Sequence, residues 1–304
     1  MVDISYAITN RCIYECEHCG VGSGPRGHAP NIEDSIAVLS HLSRGTKNLQ
    51  FTGGEPLYDK KLLYSALEYL KENEGHLFDK APKITIGSNG FWLRNKAQAL
   101  SIADDLHRLG VSEVDVSLDK YHAEQAWEKL GWNMADSFDT SGDVTCSGTI
   151  LGMGKGDMKR LGEEILKRYG RDFKINVHYV SPGVRKKNYA LGRAKTLPQG
   201  EVFDGPGSCM IQTDKMDIIT ISPYGKVYPC CWERGPCLGS AIDEPVDDLL
   251  KRAMNDKDID TILNRGMNSL YLKRNGEPED HDELVRQVFA NPCELCKELF
   301  PKIE

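Results

Sequence analysis

Three closely spaced cysteines near the amino terminus are the residues best placed to do chemistry. Cys12, Cys16 and Cys19 stand at C-x3-C-x2-C spacing on one short segment. Three thiolates can hold three corners of a cubic iron–sulfur cluster, which leaves the fourth iron open to a small-molecule chelate. The alternative is a structural zinc site with a fourth ligand nearby. His18 is available, although its place between two of the cysteines makes chelation of the same ion awkward.

Further polar motifs each follow a predicted strand. In Gly53-Gly54-Glu55-Pro56 two glycines let the backbone approach a ligand closely, and a carboxylate there can accept hydrogen bonds from an ammonium group. Small hydroxyl, amide and carboxylate side chains after the next two strands can hydrogen-bond the polar groups of a ligand; these are Ser88, Asn89, Ser117 and Asp119. The alternative for all of them is an ordinary cap or turn.

A second group of cysteines lies in the last third of the chain. Cys209 and Cys230 flank a hairpin whose turn is predicted at 222–225, and Cys293 and Cys296 form a C-x2-C pair. Four thiolates can fully ligate an auxiliary 4Fe–4S cluster, and tetrahedral zinc is the alternative. Cys231 directly follows Cys230, and adjacent cysteines on a strand point in different directions.

The cysteine spacing followed by the Gly-Gly-Glu-Pro motif resembles the radical S-adenosylmethionine (SAM) family. The resemblance implies that SAM chelates the open iron and that one electron cleaves a carbon–sulfur bond, giving a 5′-deoxyadenosyl radical that takes a hydrogen atom from a substrate. It further implies that Gly53-Gly54-Glu55 holds the amino group of SAM. Arg193 is expected to pair with the SAM carboxylate, a solvent-exposed arginine being the alternative. His18 stands where the family usually has an aromatic residue.

The C-terminal cysteines resemble the auxiliary-cluster "twitch" domain of that family, which favours iron over zinc. Since only eight residues follow Cys296, one auxiliary cluster is expected, giving two 4Fe–4S clusters in all. Four motifs together resemble the radical SAM epimerases of ribosomally made peptides: 88–92, 119–122, 228–231 and 293–296. This implies that the radical takes an α-hydrogen from an L-residue and that the Cys231 thiol returns one to the opposite face. A buried thiol or a spare ligand is the alternative for Cys231.

Substrate contacts are expected at the same mouth of the site. Tyr121 and His122 come directly after the predicted fourth strand and its Asp119, so both are expected to face the substrate, a surface position on the following helix being the alternative for His122. Asp217, at the start of the predicted hairpin, is expected to contact peptide or cofactor. Two other enzyme functions compete with peptide epimerisation. One is a carbohydrate or aminoglycoside epimerase or dehydrogenase, and the other is an oxidative peptide cross-linking enzyme. A non-catalytic iron–sulfur sensor is a further alternative, although it would make no use of the SAM motifs. A flavodoxin- or ferredoxin-type electron donor is the expected partner.

The elements that must position these residues alternate along the first 180 positions. Strands are predicted at 4–9, 48–52, 83–87, 111–118, 144–151 and 173–180, and helices at 32–42, 62–72, 96–109 and 158–169. Six such units predict a parallel sheet with helices outside it, a partial (β/α)6 TIM-like barrel, with functional residues at the carboxyl ends of strands. The predicted division is a barrel at 1–180, a linker at 181–205 and a small auxiliary-cluster domain at 206–304.

Composition restricts the class of protein. With 40% hydrophobic and 27% charged residues the chain is typical of soluble globular proteins. No apolar run suits a membrane span and no secretory signal opens the chain, so a cytoplasmic location is expected. The net charge of −7 and the absence of a basic stripe argue against nucleic-acid binding.

Overall fold

The computed structural model describes residues 2–16, 19, 21–117, 145–149, 216–230, 235–276, 296 and 298–300. The predicted sixth strand, the helix at 158–169 and the linker at 181–205 lie outside these residues. Within the described residues, no helix combines the length and apolar character needed to cross a membrane.

One sheet organises the described chain. Its first five strands are parallel and confirm the predicted positions to within a few residues: β1 (Val2–Thr9), β2 (Thr46–Gly53), β3 (Lys83–Ser88), β4 (Glu113–Ser117) and β5 (Thr145–Thr149). Beyond β1 lies β6 (Ile218–Ile221), parallel to β1. Next come β7 (Lys226–Tyr228), antiparallel to β6, and β8 (Gly239–Ser240), antiparallel to β7. The order is β5-β4-β3-β2-β1-β6-β7-β8.

The predicted hairpin is present and extends the main sheet. Gly225 has φ +71°, and its backbone N–H donates to the Ser222 carbonyl at 2.9 Å, which makes a tight turn between β6 and β7. Because β6 pairs with β1 from Asp3 to Tyr6, the hairpin is continuous with the first strands. The described part of the C-terminal region therefore shares a sheet with the N-terminal part.

Helices cover one face of this sheet. They are α1 (Ile32–Ser40), α2 (Lys60–Leu77), α3 (Lys96–Arg108), α4 (Val246–Ala253), α5 (Lys257–Arg265) and α6 (Met267–Asn275). The Asn31 and Asn95 side chains cap α1 and α3, and Gly110 at φ +82° follows the end of α3. Helix α2 ends at Leu77, five residues after the predicted end at 72. Its last turn is mostly polar, so the apolar periodicity that predicts a helix is absent there. Phe78, directly after the helix, is buried.

The two faces of the sheet differ in chemistry. The outer face, toward the helices, carries buried apolar side chains such as Tyr6, whose hydroxyl contacts Ser35 of α1 at 3.3 Å. The other face, called here the inner face, carries polar side chains. Strand register aligns one row of them across four neighbouring strands: Thr220, Ser5, Gln50 and Thr85.

Strand direction defines two edges. The carboxyl ends of β1 to β6 meet at one edge, the carboxyl edge, and their amino ends meet at the amino edge. Strand β7 starts at the carboxyl edge and runs back, since Ile221 pairs with Val227 and Thr220 with Tyr228. Residues that follow β7 therefore approach the amino edge.

Candidate active site at the carboxyl edge

The cysteine loop leaves β1 at the carboxyl edge and folds back on it. The Asn10 N–H donates to the His28 carbonyl at 2.6 Å, and the Cys12 N–H donates to the Gly24 carbonyl at 3.0 Å. Cys12 is buried, whereas Cys16 and Cys19 are partly exposed. Among the described residues, no three His, Cys, Asp or Glu side chains already converge as a metal site. The loop thus brings the three cysteines to one edge without closing them into a site.

Hydrogen-bond donors surround two of the sulfurs. The Tyr14 N–H and the Asn89 side-chain amide each donate to Cys12 Sγ at 3.4 Å, and the Ser23 N–H donates to Cys19 Sγ at 3.3 Å. Burial raises the pKa of the Cys12 thiol to about 11, and the Tyr14 and Asn89 donors oppose this rise. Donors aimed at sulfur stabilise the thiolate that ligates a metal. The donor set therefore fits a cluster ligated through sulfur.

The Gly-Gly turn after β2 docks on the end of β1. Gly54 donates its N–H to the Thr9 carbonyl at 2.6 Å, and Glu55 donates its N–H to the Arg11 carbonyl at 2.8 Å. A Cβ on Gly54 would lie 2.2 Å from the Arg11 carbonyl oxygen, and Gly53 has φ +124°. These glycines are required for the approach of two backbone segments. Their predicted contact with SAM stays a prediction.

Glu55 is the centre of a buried network. Its side chain is fully buried and accepts hydrogen bonds from the Leu57 N–H at 3.0 Å, the Asn89 N–H at 2.6 Å and the Ser88 hydroxyl at 3.0 and 3.1 Å. These bonds join the turn after β2 to the segment after β3. The sequence predicts that Glu55, Ser88 and Asn89 lie at one site. In the structure they do, because Ser88 and Asn89 donate hydrogen bonds to the Glu55 carboxylate.

Trp92 is a member of this network to which sequence reasoning gave no role. Its Nε1–H donates to the Ser88 hydroxyl at 2.9 Å, and the ring is fully buried. The Gly90 N–H donates to the same oxygen at 3.1 Å. The available signal was a tryptophan four residues after a serine at a strand end, a spacing that one tight turn can close.

The remaining predicted cofactor and substrate residues are only partly described. Ser117 ends β4 at the carboxyl edge and is partly exposed. A second pair that sequence reasoning missed is His28 and Tyr224, whose rings stack at 4.2 Å and 9°. No spacing pattern connects residues so far apart in the chain. Four predicted residues lie outside the described ranges: Asp119, Tyr121, His122 and Arg193.

The structure does not bring the predicted residues of β6 and β7 to the cysteine loop. Asp217 immediately precedes β6 and accepts a hydrogen bond from the Asp3 N–H at 2.7 Å through its backbone carbonyl, so it lies at the amino edge. Because β6 runs parallel to β1, its first residue is far from the cofactor motifs. Cys230 follows β7 and is buried in the main apolar cluster, which also contains Cys296. Cys209, Cys231 and Cys293 lie outside the described residues.

Comparison with protein families identifies the domain that contains the three-cysteine loop. Residues 6–139 match the model of the Radical SAM superfamily. The chain carries a radical SAM domain. The family implies a 4Fe–4S cluster and SAM, to which the Cys12 loop and its sulfur-directed donors correspond.

Relatives extend the similarity over most of the chain. YydG of Bacillus subtilis, whose name refers to peptide biosynthesis, is 24% identical over 315 residues, covering 99% of this chain and 92% of YydG. A GTP 3′,8-cyclase of Helicobacter pylori is 26% identical over 214 residues, covering 66% of this chain and 61% of that enzyme.

Solved structures confirm the fold. Native anSMEcpe with bound AdoMet and the Cp18Cys peptide matches with a TM-score of 0.50 at 12% identity, covering 98% of this chain and 99% of that one. A tagged form of anSMEcpe with bound AdoMet matches with a TM-score of 0.51 at 14% identity, covering 98% of this chain and 95% of that one. Together with the parallel sheet, these matches confirm the predicted α/β partial barrel.

Proposed function

We propose that this radical SAM enzyme is a peptide epimerase, which inverts the α-carbon of an L-residue without net oxidation. The observation that carries the proposal is the placement of two cysteine-bearing segments at opposite edges of one sheet. The Cys12 loop follows β1 at the carboxyl edge, whereas Cys230 follows β7 toward the amino edge. An inversion needs hydrogen to leave one face of a carbon and return to the other, so two opposed reactive ends suit it.

Each edge has a separate task in this proposal. With SAM and the cluster bound, the carboxyl edge supplies a 5′-deoxyadenosyl radical that removes the α-hydrogen. Cys231, next to Cys230, gives its thiol hydrogen to the opposite face of the same carbon. The thiol is restored afterward by one electron and one proton from the reducing system.

The inner face between the edges suits a polar substrate. Its row of hydroxyl and amide side chains can exchange hydrogen bonds with peptide N–H and C=O groups. Ser5, Gln50 and Thr85 of this row are partly exposed. The Thr220 hydroxyl is buried and has no hydrogen-bond partner within the described part of the chain. Buried polar groups are normally paired, so a substrate amide is a suitable partner for Thr220.

Two similarities favour a peptide over a sugar. YydG, which matches over 92% of its own length, is named for peptide biosynthesis. The anSMEcpe structure of the same fold contains the Cp18Cys peptide together with AdoMet. We extend this substrate class to the present chain.

The proposal includes one auxiliary 4Fe–4S cluster, held by Cys209, Cys230, Cys293 and Cys296. Cys230 and Cys296 support it, because they are buried in one apolar cluster although they are far apart in sequence. Four thiolates would close this cluster to exchange, so it would not take SAM. Its four ligands leave Cys231 as the hydrogen donor.

Turnover in heavy water tests the epimerase. The enzyme is reduced with dithionite and given SAM and a set of synthetic peptides made of L-residues. We expect the product to gain one solvent deuteron and to contain a D-residue after hydrolysis and chiral analysis. Cys231→Ala should lose this product, whereas Cys237→Ala, at an exposed cysteine, should keep it.

Other outcomes contradict the proposal in distinct ways. A peptide that loses two hydrogen atoms and gains no deuteron would indicate oxidative cross-linking. Inversion that persists in Cys231→Ala would exclude Cys231 as the donor. Iron and sulfide analysis of Cys231→Ala is the companion measurement, because loss of about four irons, one cubane, would make Cys231 a ligand instead.

A further inference from the structure

Asn89 connects a ligand sulfur to the buried carboxylate network. Its side-chain Nδ2 donates to Cys12 Sγ at 3.4 Å, and its backbone N–H donates to Glu55 at 2.6 Å. Asn89 and Cys12 are both buried, with 6% and 7% of their surfaces exposed. The contact to sulfur is therefore shielded from water and attached to the most buried carboxylate of the site.

The orientation of the Asn89 amide is fixed by a third hydrogen bond. Its Oδ1 accepts from the Phe91 N–H at 3.0 Å, so the oxygen is held on the side away from sulfur and the NH2 group must face Cys12. A flipped amide would place two acceptors together and lose both bonds. The backbone of the segment after β3 thus fixes the Asn89 NH2 group as a hydrogen-bond donor to the Cys12 sulfur.

A donor to a cluster sulfur changes the energy of the reduced cluster more than that of the oxidised one. One added electron raises the negative charge on the sulfurs, so an N–H that points at sulfur stabilises the reduced state and raises the reduction potential. The Tyr14 and Ser23 donors are backbone N–H groups, which no substitution except proline removes. The Asn89 donor belongs to a side chain and is open to substitution.

We propose that Asn89 is a positioning residue that raises the reduction potential of the cluster ligated by Cys12 through its side-chain hydrogen bond to the sulfur. Glu55 holds Asn89 in place through the Asn89 backbone N–H. This inference depends on the radical SAM domain and not on the epimerase proposal.

The test measures the cluster without SAM. The full chain is reconstituted with iron and sulfide, and the midpoint potential is measured by EPR at a series of poised potentials for wild type, Asn89→Leu and Asn89→Asp. We expect a more negative potential for Asn89→Leu, which lacks the donor, and a still more negative one for Asn89→Asp, which places a carboxylate oxygen toward sulfur. Without SAM, a residue that only binds SAM would leave the potential unchanged.

A matched control separates charge from contact. Asn95→Asp adds the same charge at an exposed cap whose side chain accepts from the Gln98 N–H, and it should leave the potential near the wild-type value. Resonance Raman spectra of the wild-type cluster in light and heavy water should show an isotope shift of the iron–thiolate bands that is smaller in Asn89→Leu. Wild-type potentials in both Asn89 variants would overturn the proposal. Loss of the cluster from both would overturn it as well, because Asn89 would then be needed for assembly.

Discussion

Two cysteine regions of this chain, at opposite edges of one sheet, are surrounded by different chemistry. At the carboxyl edge Cys12 receives two N–H donors and lies beside a network of polar groups. Toward the amino edge Cys230 is part of the main apolar cluster. A sulfur among donors suits a cluster that changes charge during each turnover. A sulfur packed in the core suits a site with a complete set of ligands.

The two edges are also held together by different parts of the chain. The carboxyl edge is held by backbone docking of the Gly54 turn on β1 and by the hydrogen bonds of Glu55, both local to the first three strands. The amino edge depends on the late hairpin pairing with β1. Damage at one edge should therefore leave the other largely intact.

Replacing one cysteine at each edge should have the largest effect and tests whether the two cysteine regions hold separate clusters. Cys12→Ser should abolish the SAM-binding cluster, a loss of about four irons, and with it all SAM cleavage. Cys230→Ser should lose about four other irons, as the proposed auxiliary cluster requires, and should keep SAM cleavage without substrate. Iron and sulfide analysis with 5′-deoxyadenosine measurement checks both. An unchanged iron content in Cys230→Ser would remove the auxiliary cluster from the proposal.

Glu55→Ala tests the network at the carboxyl edge. The substitution leaves the Ser88 hydroxyl and the Asn89 and Leu57 N–H groups without their buried acceptor. Unpaired buried polar groups each cost about 1–3 kcal/mol, so for three such groups a loss of at least about 3 kcal/mol in the free energy of unfolding is expected. Urea unfolding measures it. Glu33→Ala, at an exposed position in the first turn of α1, is the control and should change stability by less than about 1 kcal/mol.

Two glycine variants test whether the carboxyl edge depends on the close approach of the Gly54 turn to β1. Gly54→Ala places a Cβ 2.2 Å from the Arg11 carbonyl oxygen, so the turn must move away from β1. We expect a cost of about 2 kcal/mol, typical of overpacking, together with weaker SAM binding. Gly75→Ala, in α2 with nothing within 4 Å of its new Cβ, should be neutral or stabilising by about 0.5–1 kcal/mol. Equal stabilities of the two variants would show that the close approach at Gly54 carries no constraint.

Much of this site is local in sequence, which explains what could be predicted. Strands β1 to β5 and the turn at Gly225 follow from apolar runs and glycines, and the three cysteines follow from their spacing alone. The pairing of β6 with β1 joins residues 215 positions apart, as in Tyr6 and Ile221, and the stacking of His28 on Tyr224 joins residues 196 positions apart, so no local pattern encodes either contact. The hydrogen bonds that the Glu55 carboxylate accepts from other segments of the protein were not predicted. The motif identifies the carboxylate but not the donors around it.

The smallest expected effect lies away from both cysteine regions, where Asp258 of α5 accepts hydrogen bonds from Arg274 and Lys273 of α6. The hydrogen bond from Arg274 is the main cause that lowers the pKa of the Asp258 carboxyl below its usual value, so its stabilisation is present at neutral pH and is lost as pH falls through the folded-state pKa. These side chains are partly exposed, so Asp258→Asn should cost less than about 1 kcal/mol at neutral pH and nothing in acid. Asp248→Asn, in a more exposed pair with Lys251, should be silent at both pH values. Urea unfolding of the two variants at neutral and acidic pH measures the difference, and a cost for Asp258→Asn that persists in acid would mean that packing rather than charge joins α5 to α6.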